Sequence, residues 1–437
     1  MDKEYIIRLL HTFNPQWEGK KPDIPGFKRE LYGEIKKDMD KKQIIAITGL
    51  RRTGKTTLMK QVLSELPNKS CMYFSFDEID LQKKEVLRFV MDYFLNNFDA
   101  KYIFLDEIHY IPDWQGILKR YYDTENLKFI ISGSASMQIK KSRESLAGRI
   151  MSFYLPTLSF REFLGLTGEP VKIKDLDKFY KQVLPRKEFF ENQFKEYLFK
   201  GAFPEIIKEK NEEFIRKYIT DIVVKKIIFE DIPEIYRIER KSTLYELYKY
   251  ICKESSNLFE MKNLSGLFNL NIDTVSKYLL YLDLSYLTKK SEIYSKSIAT
   301  RIRKLKKFYV VHPSIAFAML DYSKNILDVE QVMGLYIESL FSDKFFWRTK
   351  EKEEIDVILE IKGKPLPVEI KYRNKITKKD FGGLLKFCDK FKCKKGLIIT
   401  KDMYKQENIE GKEILFIPAW LFSLCLDKID IDNLQCN

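Results

Sequence analysis

The sequence predicts an α/β protein: a parallel sheet with crossover helices, a helical lid, a small module of three helices and a hairpin, and a second α/β sheet. Three features point there. Apolar runs such as "QIIAIT" (43–48), "KYIFLDEIHYI" (101–111) and "KFIISGSAS" (128–136) alternate with helical patterns, as the strands of a parallel sheet do. Further along, "STLYELYKYICKESSNLF", "EMKNLSGLFNL" and "NIDTVSKYLLYLDLSYL" give three helical patterns, followed by a strand pair from "YLTKKSEIY" to "KLKKFYVV", the layout of a winged helix. From residue 330 the order is helix "EQVMGLYIESLFS", strands "KFFWRT", "EEIDVILEI" and "PLPVEIKYR", helix "TKKDFGGLLKFCDKF" and strand "KGLIIT". The expected divisions are an adaptor segment (1–35), a first α/β domain (36–165), a lid or connector (166–240), the winged helix (241–311) and the last sheet (312–437).

Length and composition fit several folded domains: 437 residues, 45% hydrophobic and 32% charged. The formal charge of +14 suits a polyanionic partner, although a Lys-rich, widely spread excess also follows from coding composition alone. The six Cys form no CxxC pair and there are three His, which argues against a zinc site. The N-terminus carries acids and lacks a long apolar core, and the run near "ILFIPAWLFSLCL" is too short for a bilayer-spanning helix. A cytoplasmic protein without membrane contact is expected.

"GLRRTGKT" (49–56) follows the strand 43–48 directly and opens the helix "TLMKQVLSEL", matching the P-loop spacing G-x-x-x-x-G-K-[ST]. Gly49 and Gly54 let the backbone turn its N–H groups toward phosphate, Lys55 reaches the β- and γ-phosphates, and the Thr56 hydroxyl suits Mg²⁺. Arg51, Arg52, Thr53 and Thr57 complete the expected ATP-binding set. Arg51 and Arg52 are open to phosphates or to the acidic strand. That strand ends in Asp106-Glu107: Asp106 for the Mg²⁺ shell, Glu107 to polarise the attacking water. The strand between the P-loop and the acidic strand is what a carboxylate-activated ATPase needs. At the end of "KFIISGS", Ser132 or Ser134 reads as a γ-phosphate sensor or as a turn. Arg149 in "LAGR" reads as an arginine finger, in cis or in trans, or as a helix-capping cation.

In the second half, Thr274, Lys277 and Tyr278 are expected to face outward from the third helix. Arg301, Arg303, Lys304, Lys306 and Lys307 on the wing would clamp phosphates, unless the module is a protein-docking spacer. In "VEIKYR", strand alternation puts Glu369 and Lys371 on one face, as in a metal site or a salt-bridged sheet surface.

"NPQW" (14–17), "ITGLRRTGKTTLMKQ" (47–61), "IFLDEIHYIPDWQGILK" (103–119), "IISGSA" (130–135), "LAGRI" (146–150) and "LSFREFL" (158–164) resemble archaeal and bacterial AAA+-type ATPases. In those proteins the ATPase precedes a domain of unknown function with a winged helix and a restriction-endonuclease-like fold. The likeness extends through "GAFPEII" (201–207), "YITDIVVKKII" (218–228) and "EIDVILEIKGKPLPVEIKYR" (354–373). One departure is "VVHPSIAFAM" (310–319), which lacks the acidic residue expected near its start. The resemblance implies a P-loop ASCE/AAA+-like first domain and a PD-(D/E)XK nuclease-like last one. It puts the acid, acid-x-Lys set on Asp356, Glu369 and Lys371, with Glu338 as a fourth member and Mg²⁺ as the metal. Residues 361–412 hold 15 Lys/Arg against 6 Asp/Glu, which suits a polyanion. The resulting expectation is a Mg²⁺-dependent ATPase coupled to a DNA-binding, nuclease-like module, DNA before RNA. The alternative is a nucleotide-controlled switch or scaffold with an inactive nuclease-like domain. A homo-oligomer or protein partner fits either.

Overall fold

The computed structural model describes residues 2–20, 23–133, 146, 148–303, 305–325, 330–341, 345–361 and 363–425. The chain divides into two compact units, Met1–Pro156 and Thr157–Asn437. The first therefore includes the segment 1–35 that the sequence set apart, and it ends before the expected boundary at 165.

The first unit is built on strands β1 (Ile44–Thr48), β2 (Cys71–Ser75), β3 (Tyr102–Asp106), β4 (Lys128–Gly133) and β5 (Ile150–Tyr154). They lie in the order β2-β3-β4-β1-β5, and every pairing is parallel. β4 is thus the strand set between P-loop strand and acidic strand, while β2, which lies between them in sequence, is the sheet edge. The four strands β1–β4 read as near-continuous apolar runs because both faces are covered. On one face lie Ile44, Ala46, Met72, Phe74, Ile103, Leu105, Phe129 and Ile131, under helices Lys84–Asn97 and Trp114–Thr124. On the other lie Ile45, Ile47, Tyr73, Phe104 and Ile130, under the Lys55–Leu63 helix. The Lys84–Asn97 helix buries Val86, Leu87, Val90, Met91 and Phe94, a single stripe at helical spacing.

In the second unit, helices fill 160–253 apart from short links, and Tyr218–Lys225 and Ile227–Asp231 are wound as π-helix. The strands β6 (Leu258–Phe259), β7 (Thr288–Ile293), β8 (Lys306–Val310), β9 (Phe345–Arg348), β10 (Glu354–Ile361), β11 (Lys364–Lys371), β12 (Lys395–Thr400), β13 (Lys405–Ile409) and β14 (Lys412–Pro418) form one sheet. Its order is β13-β14-β12-β11-β10-β9-β7-β8-β6. β7 pairs parallel to β9 through Glu292–Phe345 and Ile293–Phe346, so the sheet runs through the expected boundary at 311/312. The helices Lys241–Lys253, Met261–Phe268 and Ile272–Leu284 precede the β7–β8 hairpin, and Asn271 caps the third by accepting from the Thr274 N–H. β9, β10 and β11 are antiparallel, and β11, β12 and β14 parallel.

Among the described residues no helix is long and apolar enough to cross a membrane.

Candidate functional site

The loop 49–54 joins β1 to the Lys55–Leu63 helix, and its glycines are required by geometry. A Cβ on Gly49 would collide with the backbone carbonyl of Leu155 on the neighbouring chain segment. Gly54 turns the chain into the helix with φ 96°, a conformation L side chains disfavour. Lys55 is buried, its Nζ held 3.2 Å from the Gly49 and Leu50 carbonyls. Thr53 Oγ1 donates to the Leu50 carbonyl (2.8 Å). Arg51 and Thr57 are half-buried and Arg52 is exposed at φ 66°.

Asp106, at the end of β3, is buried and accepts three hydroxyl hydrogen bonds. Thr56 Oγ1 (2.6 Å) and the Tyr73 hydroxyl (2.7 Å) donate to Oδ2, and Ser132 Oγ donates to Oδ1. Ser132 also accepts the Glu107 N–H at 3.1 Å, so one serine fixes both acids. Thr56 and Asp106 together present hard oxygens side by side at the mouth of a phosphate loop, which fits Mg²⁺. Glu107 adopts φ 50°, a strained backbone for a non-glycine residue. His109 Nδ1 lies 3.2 Å from Glu107 Oε2 but off the hydrogen-bond direction. Burial, then the charges of Lys55 and Arg51, push the His109 imidazole down to about 3, so it is neutral. Burial first, then Asp106, drives the Tyr73 phenol far above its ordinary range, so it is a permanent donor.

Three contributors to this site lie outside the phosphate loop and the strand ends. Arg29, buried, donates to the Thr53 carbonyl (2.6 Å) and to the Pro156 carbonyl (2.9 Å), bracing the phosphate loop against the last residue of its unit. Asn14 of "NPQW" grips the edge strand: its Nδ2 donates to the Tyr73 carbonyl (2.8 Å) and its Oδ1 accepts the Tyr73 N–H (2.7 Å). Trp17 adds a bond from Nε1 to the Cys71 carbonyl (2.9 Å). These contacts cover the edge of β2 and set Tyr73, and through it Asp106. Sequence signals existed: a lone arginine in "PDIPGFKRE", and one hydroxyl in the apolar run "CMYF".

Arg149 does not join the site in its own chain. Its carbonyl accepts the Ile44 N–H (2.7 Å), at the end of β1 opposite the phosphate loop, about 13 Å away at ~3.3 Å per residue. Its guanidinium pairs with Asp123 (Nε–Oδ1 3.1 Å) and sits over the Tyr122 ring. A cis finger is therefore corrected to a surface ion pair. Ser134 lies outside the described residues.

In the second unit the expected acids converge. Asp356 and Glu369 sit one residue beyond the Val357–Val368 pair on adjacent strands β10 and β11. Asp356 Oδ2 accepts the Ile370 N–H (2.8 Å), and Glu369 Oε1 accepts from Lys371 Nζ (2.6 Å). Glu369 is buried, and its Oε2 finds no hydrogen-bond partner among the described residues. Burial, reinforced by Asp356, raises the Glu369 carboxyl well above its usual range. Burial opposes charge on Lys371, but Glu369 and Asp356 outweigh it and raise its pKa. A pair of oxygen ligands with one oxygen left over fits a hard divalent ion.

Glu338, expected as a fourth ligand, is engaged otherwise. Its Oε1 accepts from Lys307 Nζ (3.1 Å) and from the Tyr309 hydroxyl (2.5 Å), both on β8. Burial pushes Glu338 up to about 7. Lys307, expected on a phosphate clamp, is 2% exposed and also pairs with Glu354 (2.5 Å). Other wing cations turn inward as well: Arg301 Nε donates to the Ser295 carbonyl (2.6 Å), and Lys306 Nζ to the Arg301 carbonyl (3.1 Å). The Arg303 side chain and Lys304 lie outside the described residues. On the Ile272–Leu284 helix Lys277 faces out, Thr274 is half-buried and Tyr278 is buried. Among the described residues no group of three His, Cys, Asp or Glu side chains forms a cation cage.

Residues 41–164 match the family described as an AAA domain; residues 191–325 and 333–422 match two domains of unknown function, DUF8612 and DUF4143. The chain is 27% identical, over 94% of its length and 90% of the relative's, to an uncharacterized protein of Methanocaldococcus jannaschii. It is 22% identical to an uncharacterized protein of Haemophilus influenzae, covering 86% of this chain and 94% of that one. Among solved structures it is similar to the Saccharomyces cerevisiae Hsp104–ADP complex (16% identity, 61% of this chain, 39% of that one, TM-score 0.32). It is also similar to AMPPCP-bound DnaA of Aquifex aeolicus (13% identity, 60% and 89%, TM-score 0.26).

Proposed function

We propose that the chain is a Mg²⁺-dependent ATP hydrolase whose nucleotide cycle controls a DNA-handling, nuclease-like module in its second unit. The observation that carries the first half is Asp106, bonded at once to the phosphate-loop Thr56, to Ser132 and to Tyr73, beside the strained Glu107. The AAA-domain match over 41–164 supports the same reading. Loop N–H groups and Lys55 bind the β- and γ-phosphates; Glu107 takes the proton of the attacking water; Ser132 reports the γ-phosphate to both acids. Thr56 and Asp106 would hold Mg²⁺, which would supply charge neutralisation to the phosphates.

For the second unit, the support is Asp356, Glu369 and Lys371 on one sheet surface with a leftover buried oxygen. A divalent ion on the two carboxylates would supply Lewis acidity toward a phosphodiester. Lys371 steadies the developing negative charge. Winged-helix and PD-(D/E)XK assignments for these elements follow from their order and belong to this proposal.

The test is incubation of the full chain with Mg²⁺ or Mn²⁺ and plasmid or short linear DNA, with and without ATP, beside Asp356→Ala/Glu369→Ala. Cleavage lost in the double variant supports the nuclease-like role; ATP turnover without cleavage rejects it. One observation favours the scaffold reading: Leu267, Ile272 and Leu280 are exposed on the two helices before the hairpin, where a DNA reader carries cations. Affinity for DNA that falls steeply with salt excludes a pure scaffold; no binding at low salt excludes the DNA reading.

A further inference from the structure

We propose that Cys388 and Cys393 form a redox-active dithiol that a peroxide oxidises to a reversible disulfide, with Cys393 as the attacking thiol and Cys388 as the resolving one. The pair takes no part in the chemistry proposed above.

The backbone brings the two side chains together. Cys388 sits in the last turn of the Gly382–Phe391 helix, and Cys393 follows two residues after its end. Lys392 turns the chain with φ 59°, and the Cys393 N–H donates to the Cys388 carbonyl at 2.9 Å. This is the bond of a Schellman helix end, whose two closing residues commonly touch through their side chains. It also keeps the two Cα atoms no more than about 6.8 Å apart, within the span of a disulfide. The strands beneath agree. Cys393 Sγ lies 3.4 Å from the Pro365 carbonyl on β11, and Cys388 Sγ lies 3.8 Å from the Lys395 carbonyl on β12. β11 and β12 are parallel neighbours, with Val368 opposite Leu397, so both carbonyls stand at the same end of one ladder.

The two thiols differ as an attacking and a resolving cysteine must. Cys388 is buried, whereas Cys393 is half-buried. Their mutual hydrogen bond is the largest influence on both: it lowers the Cys393 thiol from its ordinary value and, with burial, raises Cys388. A partly exposed thiolate beside a protonated neighbour is the pattern of a peroxide-reactive cysteine with its resolving partner. The Cys393 thiolate attacks one peroxide oxygen and the O–O bond breaks. The departing hydroxide takes up the proton that Cys393 released, leaving water and a sulfenic acid on Cys393. The Cys388 sulfur then attacks the Cys393 sulfur, the S–O bond breaks, and the Cys388 proton leaves with the hydroxyl as water. Two thiols and one hydrogen peroxide give one disulfide and two waters; the sulfurs lose the two electrons that the peroxide oxygens gain. The bond closes a short loop and removes little chain entropy, so it changes the thiols rather than stapling the fold.

The test is exposure of the full reduced chain to hydrogen peroxide, followed by thiol titration in denaturant, intact mass and peptide mapping. The chain is expected to lose two titratable thiols and the mass of two hydrogens, with the new bond mapped to Cys388–Cys393 and both thiols restored by dithiothreitol. Cys388→Ala is expected to stop Cys393 at the sulfenic acid, captured by dimedone. Cys393→Ser, at a half-buried position, is expected to leave Cys388 a thiol under the same exposure. Should Cys388→Ala not fold, the mapping of the unaltered chain and Cys393→Ser decide. Cys388 and Cys393 both remaining thiols, a bond mapped to another pair, or Cys393 accumulating as sulfinic acid beside a reduced Cys388 would each overturn the proposal.

Discussion

Asn14→Ala tests whether the N-terminal segment is part of the nucleotide site or merely precedes it. Asn14 is fully buried and exchanges two hydrogen bonds with the backbone of Tyr73, on the edge strand β2. It also accepts from Gln16 Nε2 at 3.0 Å. Truncation strands the Tyr73 N–H, the Tyr73 carbonyl and the Gln16 amide. A buried polar group left unsatisfied costs ~1–3 kcal/mol, so the total is about 3–5 kcal/mol once water has reached the edge strand. The Trp17–Cys71 bond remains, so β2 should loosen around Tyr73 rather than detach. Urea unfolding followed by circular dichroism is expected to show the first transition shifted by that amount. ATP turnover should fall too, because Tyr73 donates to Asp106. A shift below about 1 kcal/mol with unchanged turnover would refute the claim that this segment positions the site.

Ser132→Ala removes the donor shared by Asp106 and the Glu107 backbone; a lost hydrogen bond to a carboxylate is worth ~1.5–3 kcal/mol, so kcat should drop roughly 10–100-fold with the fold intact. Arg149→Ala removes an ion pair of half-exposed groups, worth at most about 1 kcal/mol, and should leave turnover within about twofold; a far larger loss that depends on protein concentration would reveal a trans finger. His109 and His312 are buried and neutral, both pushed down to about 3, chiefly by burial. Their folded values lie below the unfolded 6.5, so the stability they contribute is complete above pH 6.5 and is lost as pH falls toward 3. Unfolding free energies from urea titrations at pH 7 and pH 5 should differ by about 2 kcal/mol per histidine, and His312→Asn should remove its share.

What was legible in the sequence was local. The phosphate loop, the acidic strand end and the order of elements after residue 330 each depend on residues adjacent in the chain, where spacing and periodicity carry the signal. Arg29 and Tyr73 reach Thr53 and Asp106 only after the sheet has brought distant segments together, and no spacing rule announces them; Asn14 and Ser132 stand in stretches the sequence singles out, but their partners Tyr73 and Asp106 are just as distant in the chain. Lys307 escapes the sequence reading for the same reason: among basic wing residues it looks solvated, and Glu338, on a later helix, and Glu354, on β10, explain its burial. Glu338 enters the expected ligand set through the family resemblance, and its cation, Lys307, lies on a strand 31 residues earlier in the chain. Arg149 was misplaced because "LAGR" lies beyond β4 in the chain, yet the strand it leads into starts at the far end of β1.

If ATP hydrolysis in the first unit and polyanion handling in the second belong to one activity, DNA must change nucleotide turnover. Steady-state ATP turnover by the full chain, with Mg²⁺, with and without double-stranded DNA, and beside Lys55→Ala, tests it most directly. Turnover is expected to vanish in Lys55→Ala and to rise several-fold with DNA. Turnover that survives Lys55→Ala, or that DNA leaves unchanged at low salt, would contradict it.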